Sequence, residues 1–208
     1  MDFQRTEFPY FYQDCIDCYG DTQGYQIYEK AVSKLNKMKF HADYRNHKAI
    51  RIHMDQNILP LIAIYQSYRE FGLNRETAYE NALRIAQTGA LRKKEKNAHL
   101  GKLPFGYQLF KLFCKPVVKR SYPNAGWEVD WKCYDHREIH FDMKSCIYVE
   151  TTKKLHCPEL CPVFCANDIT LFSGYAPSVL FERSRTIAEG YTVCDFHFKN
   201  GRKPQTVT

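Results

Sequence analysis

Three cysteines repeat at intervals of four residues in the segment LHCPELCPVFCANDITLF, at Cys157, Cys161 and Cys165. On a helix this spacing places all three side chains on one stripe. Thiolates are nucleophiles and metal ligands, so the stripe suggests either covalent chemistry or a metal site. Eight residues of helix span about 12 Å, too far for the two outer cysteines to bind one ion. A zinc site would therefore use Cys161 and Cys165 with ligands from elsewhere.

The chain has nine cysteines, an odd number that full pairing would leave incomplete. Its first residues, MDFQRTEFPYFYQ, lack the basic and then apolar pattern of an export signal. We therefore expect a cytoplasmic protein with reduced thiols. Most of these thiols are expected to be small apolar core residues, and the CxxC of Cys15 and Cys18 is interpreted as structural.

Four short motifs follow one another in the last third of the chain. They are Cys146-x-Tyr148, Cys165-x-x-Asp168, the stretch Arg183-x-x-Thr186 leading to Gly190, and Cys194-Asp195-Phe196. In this order and spacing the chain resembles the L-2-amino-thiazoline-4-carboxylic acid hydrolase family, over most of residues 55–198. His197 stands where many members of that family have an arginine.

The resemblance implies a hydrolase that opens a cyclic amidine or isothiourea, whose reacting carbon is bonded to two nitrogens and one sulfur. On that expectation Cys165 is the nucleophile, Asp168 and Asp195 bind the amidinium, and His197 transfers a proton. Cys194 completes the predicted catalytic set. The predicted substrate contacts are Arg183 or Arg185 for the carboxylate, with Thr186 and Tyr148.

Two alternatives use the same residues. In one, Cys146, Cys165 and Cys194, or two of them with an aspartate or histidine, hold a zinc-like divalent metal that activates water. In the other, the protein is a non-catalytic binding or sensor module for a small molecule on the same scaffold. In each case the ligand is a small anionic or zwitterionic molecule.

The order of elements predicts an α+β fold, in which a helical N-terminal half packs on an antiparallel sheet of about four strands with an inserted helix. The subdomains are expected at 1–120 and 121–208, integrated into one domain that shares a core. Apolar spacing predicts helices over Tyr25–Met38 and Ile58–Phe71, and a third helix that begins after an Asn74 cap. A fourth helix over Tyr107–Lys115 is expected to end before Pro116.

Alternation of apolar and polar residues predicts the strands. Residues 127–132 and 139–144 form a predicted hairpin, whose second strand is expected to continue toward Cys146 and Tyr148. After a helical stretch over Pro158–Phe172, strands are expected over Val179–Ile187 and Thr192–Phe198, with Gly190 in the turn. The polar tail from Asn200 to Thr208 is expected to be frayed.

The net charge of +7 comes from one segment, since residues 92–120 hold nine lysines and arginines against Glu95 alone. A solvated face, an anionic substrate or a docking surface would each explain such a segment. No zinc-finger spacing, RNP-like motif or helix-turn-helix accompanies it, so we expect no nucleic-acid partner.

No apolar stretch approaches the length of a membrane span, so we expect no membrane partner. The sequence leaves open whether the protein is an oligomer.

Overall fold

The computed structural model describes residues 2–202, so the predicted frayed tail lies largely outside the described residues. The helices are α1 Phe11–His41, α2 Lys48–His53, α3 Leu59–Glu70, α4 Arg75–Lys102, α5 Gly106–Ser121, α6 Ile147–Lys154 and α7 Cys161–Ser173. The strands are β1 Val129–Tyr134, β2 Glu138–Met143, β3 Val179–Glu182 and β4 Cys194–Asn200. The strands form one antiparallel sheet in the order β1-β2-β4-β3, which confirms the α+β class.

The chain divides into two compact units that do not follow chain order. The first comprises Met1–Gly89 and Thr151–Val163, and the second comprises Ala90–Glu150 and Phe164–Thr208. All the residues predicted for the site belong to the second unit. The boundary expected at residues 120 and 121 stays a prediction. Within the described residues, no helix is both long and apolar enough to cross a bilayer.

The first unit is built from helices whose apolar faces match the sequence spacing. Ile27, Ala31 and Leu35 on α1 are fully buried, as the predicted helix required. The helix begins earlier than expected, at Phe11, and Gly20 interrupts it with a φ of 73°. That conformation suits glycine because it has no Cβ to collide with the backbone. The Asn74 cap of α4 is also confirmed, since its side chain accepts a hydrogen bond from the Thr77 N–H at 2.8 Å.

The fourth helix is longer than predicted. Pro116 lies inside α5, which continues to Ser121, so the expectation that the helix ends before this residue was wrong. A proline inside a helix lacks one N–H and costs about 3 kcal/mol. Val118, on the turn after Pro116, is 8% exposed, and its carbonyl accepts from the Tyr122 N–H at 2.8 Å. Packing and hydrogen bonds beyond the proline thus keep the last turn helical.

The predicted hairpin is confirmed, but its second strand does not reach Tyr148. Strand β2 ends at Met143, and helix α6 begins at Ile147 with Cys146 immediately before it. The Glu150 N–H donates to the Cys146 carbonyl at 3.2 Å, which closes the first helical turn. The two residues of the Cys-x-Tyr motif therefore lie at a helix start, where backbone N–H groups are available to a side chain.

Strand β3 is shorter than predicted and ends at Glu182. The next N–H groups, of Ser184 and Arg185, donate to the side chain of Asp195 at 3.1 and 2.7 Å and do not extend the ladder. A short helical turn over Ile187–Glu189 follows, and Gly190 ends it with a φ of 96°. The predicted turn at this glycine is therefore confirmed.

Helices α5 and α7 cover one face of the sheet. Phe172 on α7 contacts the rings of Phe181, Phe196 and Phe198, with centroids 4.8 to 6.5 Å apart. Phe110 on α5 packs against Phe198 at 4.9 Å. Alternate residues of a strand point to opposite faces. Phe196 and Phe198 therefore place Cys194 on the helix-covered face.

Two glycines allow α4 to lie close to the turn after α7. A Cβ at Gly101 would lie 2.6 Å from the Ala176 carbonyl oxygen, and a Cβ at Gly174 would collide with the Lys94 carbonyl oxygen. Any larger residue would push α4 away from this turn. The contact fixes the second half of α4, including Lys93, within the second unit.

We expect Gly101→Ala to lower the free energy of unfolding by about 1–3 kcal/mol, because backbone atoms cannot move away as a flexible side chain would. Urea unfolding measures the change. Gly89→Ala on the same helix is the control, since its Cβ would meet the Tyr10 hydroxyl at 3.2 Å. Equal stability losses in the two variants would contradict the close-approach explanation.

Candidate functional site

The side chain of Arg183 joins α7 to the end of β3. Its Nη1 donates to Asp168 Oδ2 at 2.8 Å, and its Nη2 donates to the carbonyl oxygen of Cys165. The guanidinium also lies over the ring of Phe196, with Cζ 5.3 Å from the centroid. The Arg183 side chain is only 3% exposed, against 32% for Asp168. One buried cation thus holds both ends of the Cys-x-x-Asp motif.

Asp168 is the less buried of the two residues in this ion pair. Burial raises the pKa of its carboxyl group, although the charges of Arg183 and Lys93 oppose the shift. A raised pKa brings an aspartate closer to the range in which it exchanges protons near neutral pH. Asp168 is therefore suited either to bind a cation or to transfer a proton.

The thiols of Cys146 and Cys194 are held in the protonated form. Burial raises the pKa of Cys146 to about 12, although the backbone N–H groups of Val149 and Tyr148 partly stabilise its thiolate. Burial likewise raises the pKa of Cys194 to about 11, while the Ile187 N–H donates to its sulfur at 3.2 Å. A negative charge on Cys165 raises the pKa of both thiols further. The three cysteines are therefore electrostatic neighbours, and ionisation of one disfavours ionisation of the others.

Cys146, Cys165, Cys194 and Asp168 are called the thiol cluster below. Aromatic side chains lie beside it. Burial and the charges of Asp168 and Cys146 raise the pKa of the Tyr122 hydroxyl, so this side chain lies near both. The ring of Tyr122 packs edge-on against Trp127 at 5.1 Å, and Trp127 packs against Tyr148 at 6.2 Å. These rings give the cluster an apolar side.

Asp195 and His197 lie on the opposite face of β4 from Cys194. Asp195 accepts hydrogen bonds from the Ser184 hydroxyl at 2.6 Å and from the backbone N–H groups of Ser184 and Arg185. His197 Nε2 lies 2.8 Å from Glu138 Oε2, and its ring stacks on His140 at 5.0 Å. The structure therefore separates these two predicted catalytic residues from the thiols and Asp168.

The predicted substrate contacts also separate. Tyr148 lies in the aromatic group beside the cluster, where its ring meets Phe164 at 4.8 Å. Thr186 is 4% exposed, and its hydroxyl oxygen accepts from the Glu189 N–H at 3.2 Å, so it caps the short turn that follows β3. Arg185 Nε lies 3.9 Å from Asp195 Oδ2, and its side chain is half exposed.

The predicted metal ligands do not form a recognisable coordination group. Among residues 2–202, no three histidine, cysteine, aspartate or glutamate side chains are arranged as metal ligands. The geometry gives the zinc-like site of Cys146, Cys165 and Cys194 no support, and that alternative stays a prediction.

Sequence reasoning missed two members of the cluster, Lys93 and Tyr122. Lys93 belongs to a long basic run in which no single residue stands out, and Tyr122 lies in a connector before the sheet. Neither belongs to a short motif. Only the packing of α4, α5 and α7 brings these residues to Asp168.

A surface depression of about 410 Å³ lies in the first unit, apart from the thiol cluster. Its charged groups bind one another, because Glu159 accepts from the Tyr65 hydroxyl at 2.7 Å and lies 3.2 Å from Arg75 Nε. Gln66 on its wall donates to the Leu155 carbonyl at 3.1 Å. The polar side chains of this depression are thus paired with one another or with the backbone.

Comparison with known families gives one match. The family model of L-2-amino-thiazoline-4-carboxylic acid hydrolase matches residues 51–198, which is well over half of the chain. The chain belongs to this family, as the order of its motifs indicated. No curated protein and no solved structure shows a significant match.

We expect Asp195→Asn to destabilise the protein by about 1–3 kcal/mol at pH 7, because it removes a charged acceptor from three donors. Burial raises the pKa of Asp195, but hydrogen bonds from Ser184 and Arg185 outweigh this and leave the pKa lowered. A lowered folded pKa stabilises the protein above pH of about 4, and this contribution is lost as pH falls through the folded value. Urea unfolding of both proteins should therefore show a difference that shrinks in acid. A difference independent of pH would contradict this role.

We also expect the thiols to differ in reactivity. Cys18 is exposed and should react first with iodoacetamide at pH 8, whereas Cys146 and Cys194 should react slowly. Their modification should accelerate as the pH approaches 11 to 12, where their thiolates form. Peptide mass spectrometry after timed labelling measures each site. Rapid modification of Cys146 and Cys194 at pH 8 would contradict the raised pKa of these two thiols.

Proposed function

We propose that this protein is a hydrolase that opens a cyclic amidine or isothiourea, such as L-2-amino-thiazoline-4-carboxylate. The observation that carries the proposal is the buried Arg183, which binds Asp168 and the Cys165 carbonyl together. It fixes a candidate nucleophile and a carboxylate one helical turn apart on α7. Membership of the hydrolase family supports the same reaction class.

Cys165 is the proposed nucleophile. Its neighbours Cys146 and Cys194 have pKa values of about 12 and 11, so they remain thiols near neutral pH. The side chain of Cys165 is partly exposed, whereas Cys194 is buried. A substrate can therefore reach Cys165.

Asp168 is the proposed partner of the amidinium group. Arg183 engages Oδ2, which leaves Oδ1 to accept a hydrogen bond from a substrate nitrogen. The carboxylate form stabilises the cationic amidinium, whose central carbon is more electrophilic than that of the neutral amidine. Because burial raises the pKa of Asp168, the same group is able to carry a proton between the attacking and departing atoms.

The reaction proceeds by addition and elimination. The Cys165 thiolate adds to the amidine carbon, one ring bond to that carbon breaks, and the departing ring atom takes a proton. Water then attacks the same carbon and releases the thiolate, so that one water molecule is consumed overall. The Cys194 thiol, which is protonated near neutral pH, is available as a hydrogen-bond donor during these steps.

Lys93 is the proposed partner of the substrate carboxylate. Its charge lowers the pKa of Asp168, which places it near the cluster. Arg183 is buried and occupied, so in this proposal it positions Asp168 and does not contact the substrate. Arg185 pairs with Asp195 on the far side of β4 and is less well placed.

We expect Cys165→Ser to reduce turnover of L-2-amino-thiazoline-4-carboxylate on the order of 10³-fold or more, because a hydroxyl is a much weaker nucleophile. Asp168→Asn should reduce kcat on the order of 10²- to 10⁴-fold. Product formation is followed by chromatography. Cys133→Ser is the control, since Cys133 is another half-buried cysteine, on strand β1 of the same unit.

Wild-type turnover in both Cys165→Ser and Asp168→Asn would rule out this site. Elemental analysis of the purified protein separates the two mechanisms, because activity that depends on about one bound metal ion per chain would contradict attack by a free thiolate. Substrate that raises the melting temperature without giving product would identify a binding module instead.

A further inference from the structure

Helix α5 exposes an apolar stripe along its outer side. Leu112 is 65% exposed, Phe113 56% and Val117 52%, and Phe105 at the start of the helix is 52% exposed. These residues recur at steps of about three and four, together with Leu109 and Pro116, so they share one side of the helix. Single exposed apolar residues are common, but a continuous stripe of this kind marks a contact surface.

The helix does not depend on a partner for its own folding. Tyr107, Cys114 and Val118 are 2%, 7% and 8% exposed, and they form the opposite side of α5. Phe110 anchors that side on Phe198 of the sheet. The exposed stripe is therefore presented on a helix that is already packed, and binding requires no ordering of the chain.

Basic residues border the stripe, and acidic residues are absent from it. Lys111, Lys115 and Lys119 follow one another at steps of four, which places them along one edge. Arg120 adds a further cation at the end of the helix. From residue 96 to residue 127 the sequence contains no aspartate or glutamate. Apolar residues flanked by cations of this density are typical of helices that lie on anionic membranes.

The charge pattern disfavours a second copy of the chain as the occupant. Two copies paired through α5 would bring lysines toward lysines, with no carboxylate in either helix to compensate. Like charges placed opposite each other weaken association. An anionic lipid surface, in contrast, satisfies the apolar stripe and the cations at the same time.

We propose that α5 is a membrane-docking helix, which inserts Leu112, Phe113 and Val117 into the headgroup region of an anionic bilayer while the exposed cations Lys119 and Arg120 bind lipid phosphates. The contact is peripheral and needs no spanning segment. It therefore departs from the sequence expectation of no membrane partner, which considered only spanning segments. It also gives the cations that α5 contributes to the basic segment a role independent of the thiol cluster.

The test is co-sedimentation of the full chain with phosphatidylcholine vesicles that contain or lack phosphatidylserine. We expect binding to the anionic vesicles only, and release as the salt concentration rises. Leu112→Ser with Phe113→Ser should weaken binding about tenfold or more, because it removes the inserted apolar surface. Lys119→Gln with Arg120→Gln should weaken it about fivefold for each cation removed.

The matched controls lie on α1. Phe40→Ser removes an isolated aromatic residue that is 85% exposed, and Lys30→Gln with Lys37→Gln removes two exposed cations. Both should bind as the wild type does. Thermal unfolding establishes that each variant is folded.

Three results would overturn the proposal. They are a wild-type chain that stays in the supernatant with anionic vesicles, equal binding to neutral and anionic vesicles, and equal loss of binding in the control variants. Self-association that is abolished by Leu112→Ser with Phe113→Ser would also overturn it, because the stripe would then bind a second copy. Sedimentation velocity measures that outcome.

Discussion

The candidate site depends on one buried guanidinium. Arg183 is almost completely buried, and an uncompensated charge in that position would be strongly destabilising. Asp168 and the Cys165 carbonyl supply its hydrogen bonds, and Phe196 supplies an aromatic face. Because the three partners lie on α7 and β4, the arginine links the helix to the sheet. The geometry of Cys165 and Asp168 thus follows from the need to satisfy this cation.

Asp195 helps to position Arg183 from the opposite face of the sheet. Its carboxylate binds the backbone of Ser184 and Arg185, immediately after Arg183, and so directs the chain away from β3. The motif residues therefore divide into two groups. Cys165, Asp168 and Arg183 belong to the cluster, while Asp195 fixes the loop that positions the arginine. A short motif can hold both kinds of residue, because neighbours on a strand point to opposite faces.

The helices and most strands were predictable because their signals are local. The apolar spacing of α1 and α3, the Asn74 cap and the alternation in the hairpin each lie within a few residues of one another in the chain. The errors arose where distant contacts outweighed local preference. The last turn of α5 continues past Pro116 because Val118 is packed, and β3 ends early because Asp195 captures the next N–H groups.

The sequence by itself determined the family, the α+β class and the set of candidate site residues, since these follow from residue types and their order. Tertiary structure decided which of those candidates lie together. It joined Cys146, Cys165, Cys194 and Asp168 through burial and charge, and it added Lys93 from a distant helix. It also placed His197 beside Glu138 and away from the thiols. The direction of a side chain depends on the register of the strand and on the packing of helices far apart in sequence, which no local pattern encodes.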